Sequence, residues 1–112
     1  LLFSSKLTQI PEQGLCYQPI QFAWIPNVEC IHIKAFLNCY ELQEVGCRRL
    51  KTIKALGFDH CVKLSTLDAQ NVKIVGKQAF DHCYSLNNVC FRNVSTIEYL
   101  SFQYKNNVPH YK

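Results

Sequence analysis

The sequence lacks the features that mark membrane and secreted-precursor proteins. It has no run of eighteen apolar residues that could cross a bilayer as a helix. Its N-terminus has neither the basic start nor the long apolar core of a signal peptide. We therefore expect a soluble chain without a membrane segment. Because it begins at Leu1 rather than at methionine, we also expect a processed product or a fragment of a longer array.

Motifs for catalysis are also missing. No nucleophile elbow, Walker loop or pair of carboxylates in a predicted cleft is present, so we expect no enzyme activity, no catalytic residue and no cofactor. The net charge of +4 is too small to indicate nucleic-acid binding. Arg48, Arg49, Lys51 and Lys54 nevertheless cluster, and Lys73 follows Lys51 by 22 residues. We interpret these cations as a solvated face, with binding of an acidic partner as the alternative.

What the chain does contain is a repeat of 22 residues. Four phenylalanines show the period, at Phe36, Phe58, Phe80 and Phe102. Other apolar columns keep the same spacing: Ile31, Ile53, Val75 and Ile97; Val28, Leu50, Val72 and Val94; Leu42, Leu64 and Leu86; Val45, Leu67 and Val89. A weaker copy precedes them if one residue is deleted between Leu15 and Ile20. Such a period predicts a solenoid whose stacked coils share one core. We expect a single domain over residues 1–112, with coils starting near residues 10, 31, 53, 75 and 97.

Each coil has its own local pattern. Val45 and Cys47 alternate with other residues in Leu42–Cys47, which predicts a half-buried strand, and a second extended segment follows at Leu50–Ile53. Apolar residues at i, i+3 and i+6 in Lys54–Cys61 predict a short helical or 3₁₀ turn. The expected fold is an α/β-type solenoid of about five coils, in which parallel strands bond from coil to coil.

Three segments carry a family resemblance. AFLNCYELQEV, GFDHCVKLSTL and AFDHCYSLNNV resemble the AFxxCxxLxxI core of BspA-like (Treponema pallidum type) leucine-rich repeats. Ile20–Val28 is similar to the LxxIxIPxxV stretch of that family, with one residue fewer before Val28. The resemblance covers the chain from about Leu7 to Val108, with a degenerate fourth core at Phe102 where Lys105 replaces the cysteine. It implies a leucine-rich repeat solenoid that binds proteins, often on the surfaces of bacteria and parasitic protists.

Seven cysteines in a short chain suggest disulfides, but their positions favour another interpretation. Cys39, Cys61 and Cys83 occupy one column of the repeat, and three members of one column cannot all pair among themselves. We expect a ladder of packed free thiols. Disulfides between neighbouring coils are the alternative, because paired strands lie only about 4.8 Å apart.

The outward residues of the first strand in each coil are the candidate binding site. If that strand lines the concave side, they form a strip of Phe22, Trp24, Glu44, Arg48, Thr66, Asp68, Gln70, Asn88 and Arg92. Phe22 and Trp24 differ from the polar or small residues elsewhere in the strip. Aromatic anchors beside mixed charge are typical of interaction hot spots. Alternatively, Phe22 and Trp24 pack under Leu1–Phe3 as a cap, since an uncovered apolar patch is a liability.

A duplicated Phe-Asp-His-Cys sequence, at Phe58–Cys61 and Phe80–Cys83, raises the question of a metal site. The histidine and cysteine are adjacent and should point in different directions, and no CxxC or HxxxH pair accompanies them. We therefore expect no dedicated metal site, although a stacked pair of His60 and His82 could capture a metal by accident. Asn93 begins an N-glycosylation sequon, a triplet that is also common by chance.

These observations favour a protein-protein interaction module. Following the resemblance, we expect a cell-surface or secreted domain that adheres to a ligand or host protein through its concave strands. The alternative is an intracellular or cytoskeletal scaffold, in which reduced cysteines are natural. A third hypothesis is a metal or redox module on the cysteine and histidine columns. Val108 and Tyr111 stand where a further strand should begin, so the open ends of the solenoid could also mediate association.

Overall fold

The computed structural model of the chain is a parallel-strand solenoid. It describes residues 1–87, 89–98 and 100–102 and the strand at 110–111, apart from the side chains of residues 90, 110 and 111. The strands are β1 (Leu2–Phe3), β2 (Gln9–Ile10), β3 (Phe22–Trp24), β4 (Cys30–Ile31), β5 (Glu44–Gly46), β6 (Thr52–Ile53), β7 (Thr66–Leu67), β8 (Ile74–Val75), β9 (Cys90–Phe91), β10 (Thr96–Ile97) and β11 (His110–Tyr111).

The strands form two main parallel sheets. Sheet A has the order β1-β3-β5-β7, sheet B has the order β10-β8-β6-β4-β2, and β9 pairs with β11. In sheet A, Val45 lies opposite Ala23 and Leu67. In sheet B, Ile53 lies opposite Ile31 and Val75. The parallel pairing and the 22-residue register are confirmed, and the strand expected near Tyr111 is β11.

The number of coils differs from the expectation. Between its first and last strands, β2 and β10, sheet B spans about four turns of the solenoid, so the expected five coils are not confirmed. The first turn is one residue short, since Ile10 pairs with Ile31 whereas Ile31 pairs with Ile53. This shorter turn agrees with the deletion that the sequence predicts between Leu15 and Ile20. Lys105 and Val108 lie outside the described residues.

The segment after each sheet B strand consists of consecutive turns. Gly57 N–H donates to the Lys54 carbonyl at 3.1 Å, whereas Phe58 N–H donates to the Ala79 carbonyl of the next coil at 2.8 Å. A helix would keep both bonds inside the segment. Here every second amide bonds to the neighbouring coil, which no helix permits. The structure has no helix among the described residues, so the predicted helical or 3₁₀ turns and the α/β class are not confirmed.

The turns have left-handed backbone at two positions in each coil whose turn segment is fully described. One column comprises Gln13, Lys34, Leu56, Gln78 and Leu100, and the other comprises Tyr17, Asn38, His60 and His82, all with φ between 54° and 64°. None of these residues is glycine. Asn and His accept this conformation more readily than most residues. The backbone of the turn columns is therefore the same in each coil although the side chains differ.

The core is a set of stacked identical side chains. Phe36 and Phe58 are stacked with ring centroids 5.1 Å apart, and Phe58 and Phe80 with centroids 5.5 Å apart. Phe102 continues the stack 5.2 Å from Phe80. The isoleucine, leucine and valine columns pack around these rings, and most of them are fully buried. Each coil buries its apolar face only against its neighbours, which is how a solenoid is stabilised.

The cysteine column lies in the same core. The thiols of Cys39, Cys61 and Cys83 donate to the carbonyls of Leu15, Phe36 and Phe58, at 3.0, 3.1 and 3.0 Å. Burial raises the pKa of Cys39 to about 11 and holds that of Cys61 well above its usual range. Free thiols are found at Cys16, Cys30, Cys39, Cys47 and Cys61, as the ladder interpretation expects.

Candidate binding surface

The outward residues of sheet A form one continuous face, called the strand strip below. Phe22, Glu44 and Thr66 occupy equivalent register positions on β3, β5 and β7. The residues that follow them, Ala23, Val45 and Leu67, are all buried, at 3% exposure or less. This alternation sends every second side chain outward, because successive residues of a strand point to opposite faces.

One end of the strand strip is aromatic. Phe22 and Trp24 are each 42% exposed, and Phe3 on the neighbouring β1 is 64% exposed. The indole of Trp24 lies over Gly46, where a Cβ atom would come within 2.1 Å of Cε3. The absence of a side chain at residue 46 is thus what allows the indole to approach β5 so closely.

The N-terminal segment does not cover these aromatics. Leu2 pairs with Ala23 and Phe3 pairs with Trp24, so β1 extends sheet A at its edge. The cap interpretation placed Leu1–Phe3 over Phe22 and Trp24, but this segment lies beside them and adds a further exposed ring. The result is a three-ring cluster of Phe3, Phe22 and Trp24, called the aromatic end.

The remainder of the strand strip is polar. Glu44, Arg48, Asp68, Gln70 and Arg92 are exposed and Thr66 is half-buried. Within the described part of the chain, Glu44, Arg48, Asp68 and Arg92 form no ion pair with each other or with another residue. Their charges are therefore solvated. Asn88, which the sequence also assigned to the strip, lies outside the described residues.

Comparison with protein families identifies this architecture. The model of the BspA type leucine rich repeat region matches residues 4–111 in six copies. The chain belongs to the BspA type leucine-rich repeat family. No curated protein and no solved structure matches the chain. Leucine-rich repeats commonly mediate protein-protein interactions, and their solenoid is typically a binding scaffold rather than an enzyme. No helix in the described part of this BspA type repeat is long and apolar enough to cross a bilayer.

The basic cluster of the sequence is divided by the fold. Arg48 lies just beyond β5 on the strand strip, whereas Arg49, Lys51 and Lys73 line a separate groove of about 390 Å³. Glu29 lines the same groove and pairs with Lys51 at 3.4 Å. The side chains of Asn71 and Asn93 complete it, and each is held by a bond to a backbone carbonyl of the preceding coil. The cations are therefore spread over more than one surface of this BspA type repeat.

The duplicated Phe-Asp-His-Cys segments place their histidines and cysteines apart, as expected. Cys61 is buried, whereas the His60 side chain is 40% exposed. The rings of His60 and His82 stack with centroids 4.0 Å apart. Asp59 and Asp81 lie against them, and we call these four residues the Asp-His cluster. The sequence indicated the histidine pair but not the role of the carboxylates, although the 22-residue period places Asp59 beside Asp81.

The electrostatics of the Asp-His cluster are dominated by burial. Asp81 is only 4% exposed. Burial raises the pKa of its carboxyl, His82 opposes that shift, and Asp59 adds to it. Gln78 Nε2 donates to Oδ2 of Asp81 at 3.2 Å. A buried carboxylate beside a second carboxylate is costly unless positive charge or donors surround it.

Proposed function

We propose that this BspA type repeat is a protein-binding module whose partner docks on the strand strip, with the aromatic end as the anchor. The observation that carries the proposal is the exposure of Phe3, Phe22 and Trp24 on one face, at 64%, 42% and 42%. Large aromatic side chains dominate binding energy because they bury much apolar area with few rotatable bonds.

The contrast with other exposed aromatic residues supports this assignment. Tyr40 and Tyr84 are as exposed as Trp24, at 47% and 56%, but they lie in the turn segments rather than on sheet A. The three rings of the aromatic end come from two adjacent, paired strands, so they form one patch. A contiguous apolar patch marks an interaction surface more strongly than single exposed residues do.

The polar part of the strand strip defines the partner further. Glu44 and Asp68 contribute negative charge, and Arg48 contributes positive charge beside them. Because none of the three is paired within the described residues, a partner can match them without breaking an internal ion pair. We expect a partner that offers an apolar anchor flanked by opposite charges. Charges at the rim of an interface mainly accelerate association and select partners.

Quantitative pull-downs with substituted chains test the proposal. Trp24→Ala and Phe22→Ala should each weaken capture of the partner at least tenfold, since central aromatic anchors contribute about 2 kcal/mol or more. Tyr40→Ala, which removes an equally exposed ring outside the strip, should retain wild-type capture. Trp24 is also the only tryptophan of the chain, so its fluorescence should change when the partner binds. Equal loss with Tyr40→Ala, or unchanged capture with Trp24→Ala, would reject the strip as the binding face.

A cell-surface or secreted adhesion role is our leading proposal for the biological setting, following the family resemblance. The free thiols favour the second candidate, an intracellular or cytoskeletal scaffold, because Cys16 and Cys30 are free and only half-buried. Native material distinguishes the two. Oxidised thiols and a glycan on Asn93 would support the surface, whereas reduced thiols and an unmodified Asn93 would support the scaffold.

A further inference from the structure

The Asp-His cluster brings metal-ligating atoms together from two coils. Oδ1 of Asp59 lies 3.0 Å from Nδ1 of His60 and 3.7 Å from Nδ1 of His82. The three groups offer ligand atoms that all lie within 4.8 Å of one another. Two ligands bound tetrahedrally to zinc at about 2.0–2.1 Å are about 3.4 Å apart. The two observed distances bracket that value, so the three groups can share one ion once the stacked imidazoles of His60 and His82 turn toward it.

Asp81 provides an independent indication that the cluster binds a ligand. Its side chain is 6% exposed, and Oδ1 lies 3.3 Å from Nδ1 of His82. Among the described residues this oxygen accepts no hydrogen bond. Buried polar atoms in native proteins almost always have a partner, and an exception calls for an ion, a water molecule or a functional role. The unsatisfied oxygen faces the same imidazole nitrogen that Asp59 approaches.

We propose that the Asp-His cluster binds one zinc ion through Oδ1 of Asp59 and ring nitrogens of His60 and His82, with the buried carboxylate of Asp81 beside them to balance the charge. Two carboxylates and two neutral imidazoles balance the charge of a divalent ion. Imidazole nitrogen suits zinc and similar transition metals, whereas magnesium and calcium prefer an all-oxygen shell. The exposed edge of His60 provides the entry path.

The ligands come from neighbouring coils, which gives the metal a structural consequence. Asp59 and His60 belong to one coil and Asp81 and His82 to the next, so an ion would join two repeats that are otherwise held by packing and backbone bonds. Because the coils separate on unfolding, zinc should bind the folded chain in preference to the unfolded chain and raise its melting temperature. Simple Asp-His ion pairs without metal would predict no such dependence on zinc.

Calorimetric titration of the metal-stripped chain with zinc chloride tests this proposal. A Cys16→Ser/Cys30→Ser background removes the two half-buried thiols among the described side chains, which could compete as zinc ligands. We expect one zinc per chain, a higher melting temperature with zinc, and no comparable effect of magnesium chloride. His60→Asn and His82→Asn should each weaken zinc binding at least tenfold.

The variants are chosen so that the fold is kept. Asn38 occupies the same turn position as His60 in the preceding coil, with φ 57° against 60°, so asparagine is already used there. Asp59→Asn gives a second, isosteric variant with the same expected loss. His32→Asn is the matched control, because His32 lies outside the cluster and bonds to Gln9. Circular dichroism without metal should be the same for all four variants.

Three outcomes would overturn the proposal. The background chain could bind zinc no more tightly than magnesium, the His60→Asn/His82→Asn double variant could keep full affinity, or His32→Asn could lose as much as the cluster variants. Cobalt substitution adds a spectroscopic check on the ligand set. Tetrahedral bands without a thiolate charge-transfer band would support the Asp-His cluster, whereas a strong thiolate band would assign the metal to cysteine.

Discussion

The core columns and the strand strip follow the same 22-residue repeat, but the side chains repeat only in the core. At one core position Phe36, Phe58 and Phe80 repeat the same side chain, and each ring stacks on the next within 5.5 Å. At one strip position the corresponding residues are Phe22, Glu44 and Thr66. An inward side chain must pack against the equivalent side chain of the next coil, whereas an outward side chain faces solvent and has no such packing requirement.

The difference indicates where function is to be sought in such a chain. Columns that repeat hold the coils together, and positions that depart from the repeat are available for recognition. The Asp-His cluster is an instructive exception, because its residues repeat in two coils although they lie at the surface. Repetition there brings like groups together, which is unfavourable for carboxylates unless something positive lies between them.

The largest expected effect is on the core side of the comparison. Phe58→Ala should lower the free energy of unfolding by about 3–5 kcal/mol, since it removes a fully buried ring and leaves a cavity between two stacked neighbours. Trp24→Ala should cost only about 1 kcal/mol, because the indole is 42% exposed. Urea unfolding of both variants, followed by circular dichroism, measures the contrast. Equal losses would show that the aromatic end is part of the core.

A smaller loss of stability is expected at alkaline pH, and it comes from the core rather than from the strand strip. Burial raises the pKa of the Cys39 thiol from 9.0 to about 11. Because the pKa is higher in the folded chain, the thiol contributes stability below pH 9 that is lost as pH rises toward 11. Wild-type chain should therefore lose stability more steeply over this range than Cys39→Ser, which keeps a donor to the Leu15 carbonyl but cannot ionise there. If the melting temperatures of the two chains fell in parallel from pH 8 to 11, the expectation would be wrong.

Much of the fold could be predicted from the sequence because the repeat period and the apolar pattern are sufficient to align the coils. Once Phe36 is aligned with Phe58, the register of Val45, Ile53 and the cysteine column follows. The turns could not be predicted in the same way, since Phe58 N–H bonds to Ala79, 21 residues away. The local i, i+3 spacing indicates a helix only if such partners in the next coil are ignored.

The candidate site was predictable to a lesser degree. Alternation along the strands was sufficient to place Phe22 and Trp24 outward. It could not distinguish whether Leu1–Phe3 lies over these rings or beside them, because both arrangements use apolar residues. The role of the carboxylates in the Asp-His cluster could not be predicted for another reason. Their approach to the rings depends on the burial of Asp81 and on left-handed backbone at His60 and His82, which the apolar period does not encode.

The smallest expected effect tests whether the fold constrains the backbone at turn residues whose side chains are not part of the core. Lys34 is half-buried in a turn, with φ 58°, a conformation that costs an ordinary residue about 1–2 kcal/mol and glycine nothing. The greater chain entropy of glycine in the unfolded state offsets part of this cost. Lys34→Gly should therefore raise the free energy of unfolding by about 0.5–1 kcal/mol.

The matched control is Lys54→Gly, because Lys54 is exposed in the next coil and its φ is not positive. There glycine gains nothing from the backbone and should lower the free energy of unfolding by about 0.5–1 kcal/mol. Urea unfolding measures the change in the free energy of unfolding for each variant. Changes of opposite sign would show that the repeat constrains the backbone even where it leaves the side chain free. The same sign for both would mean that the left-handed turn positions carry no strain.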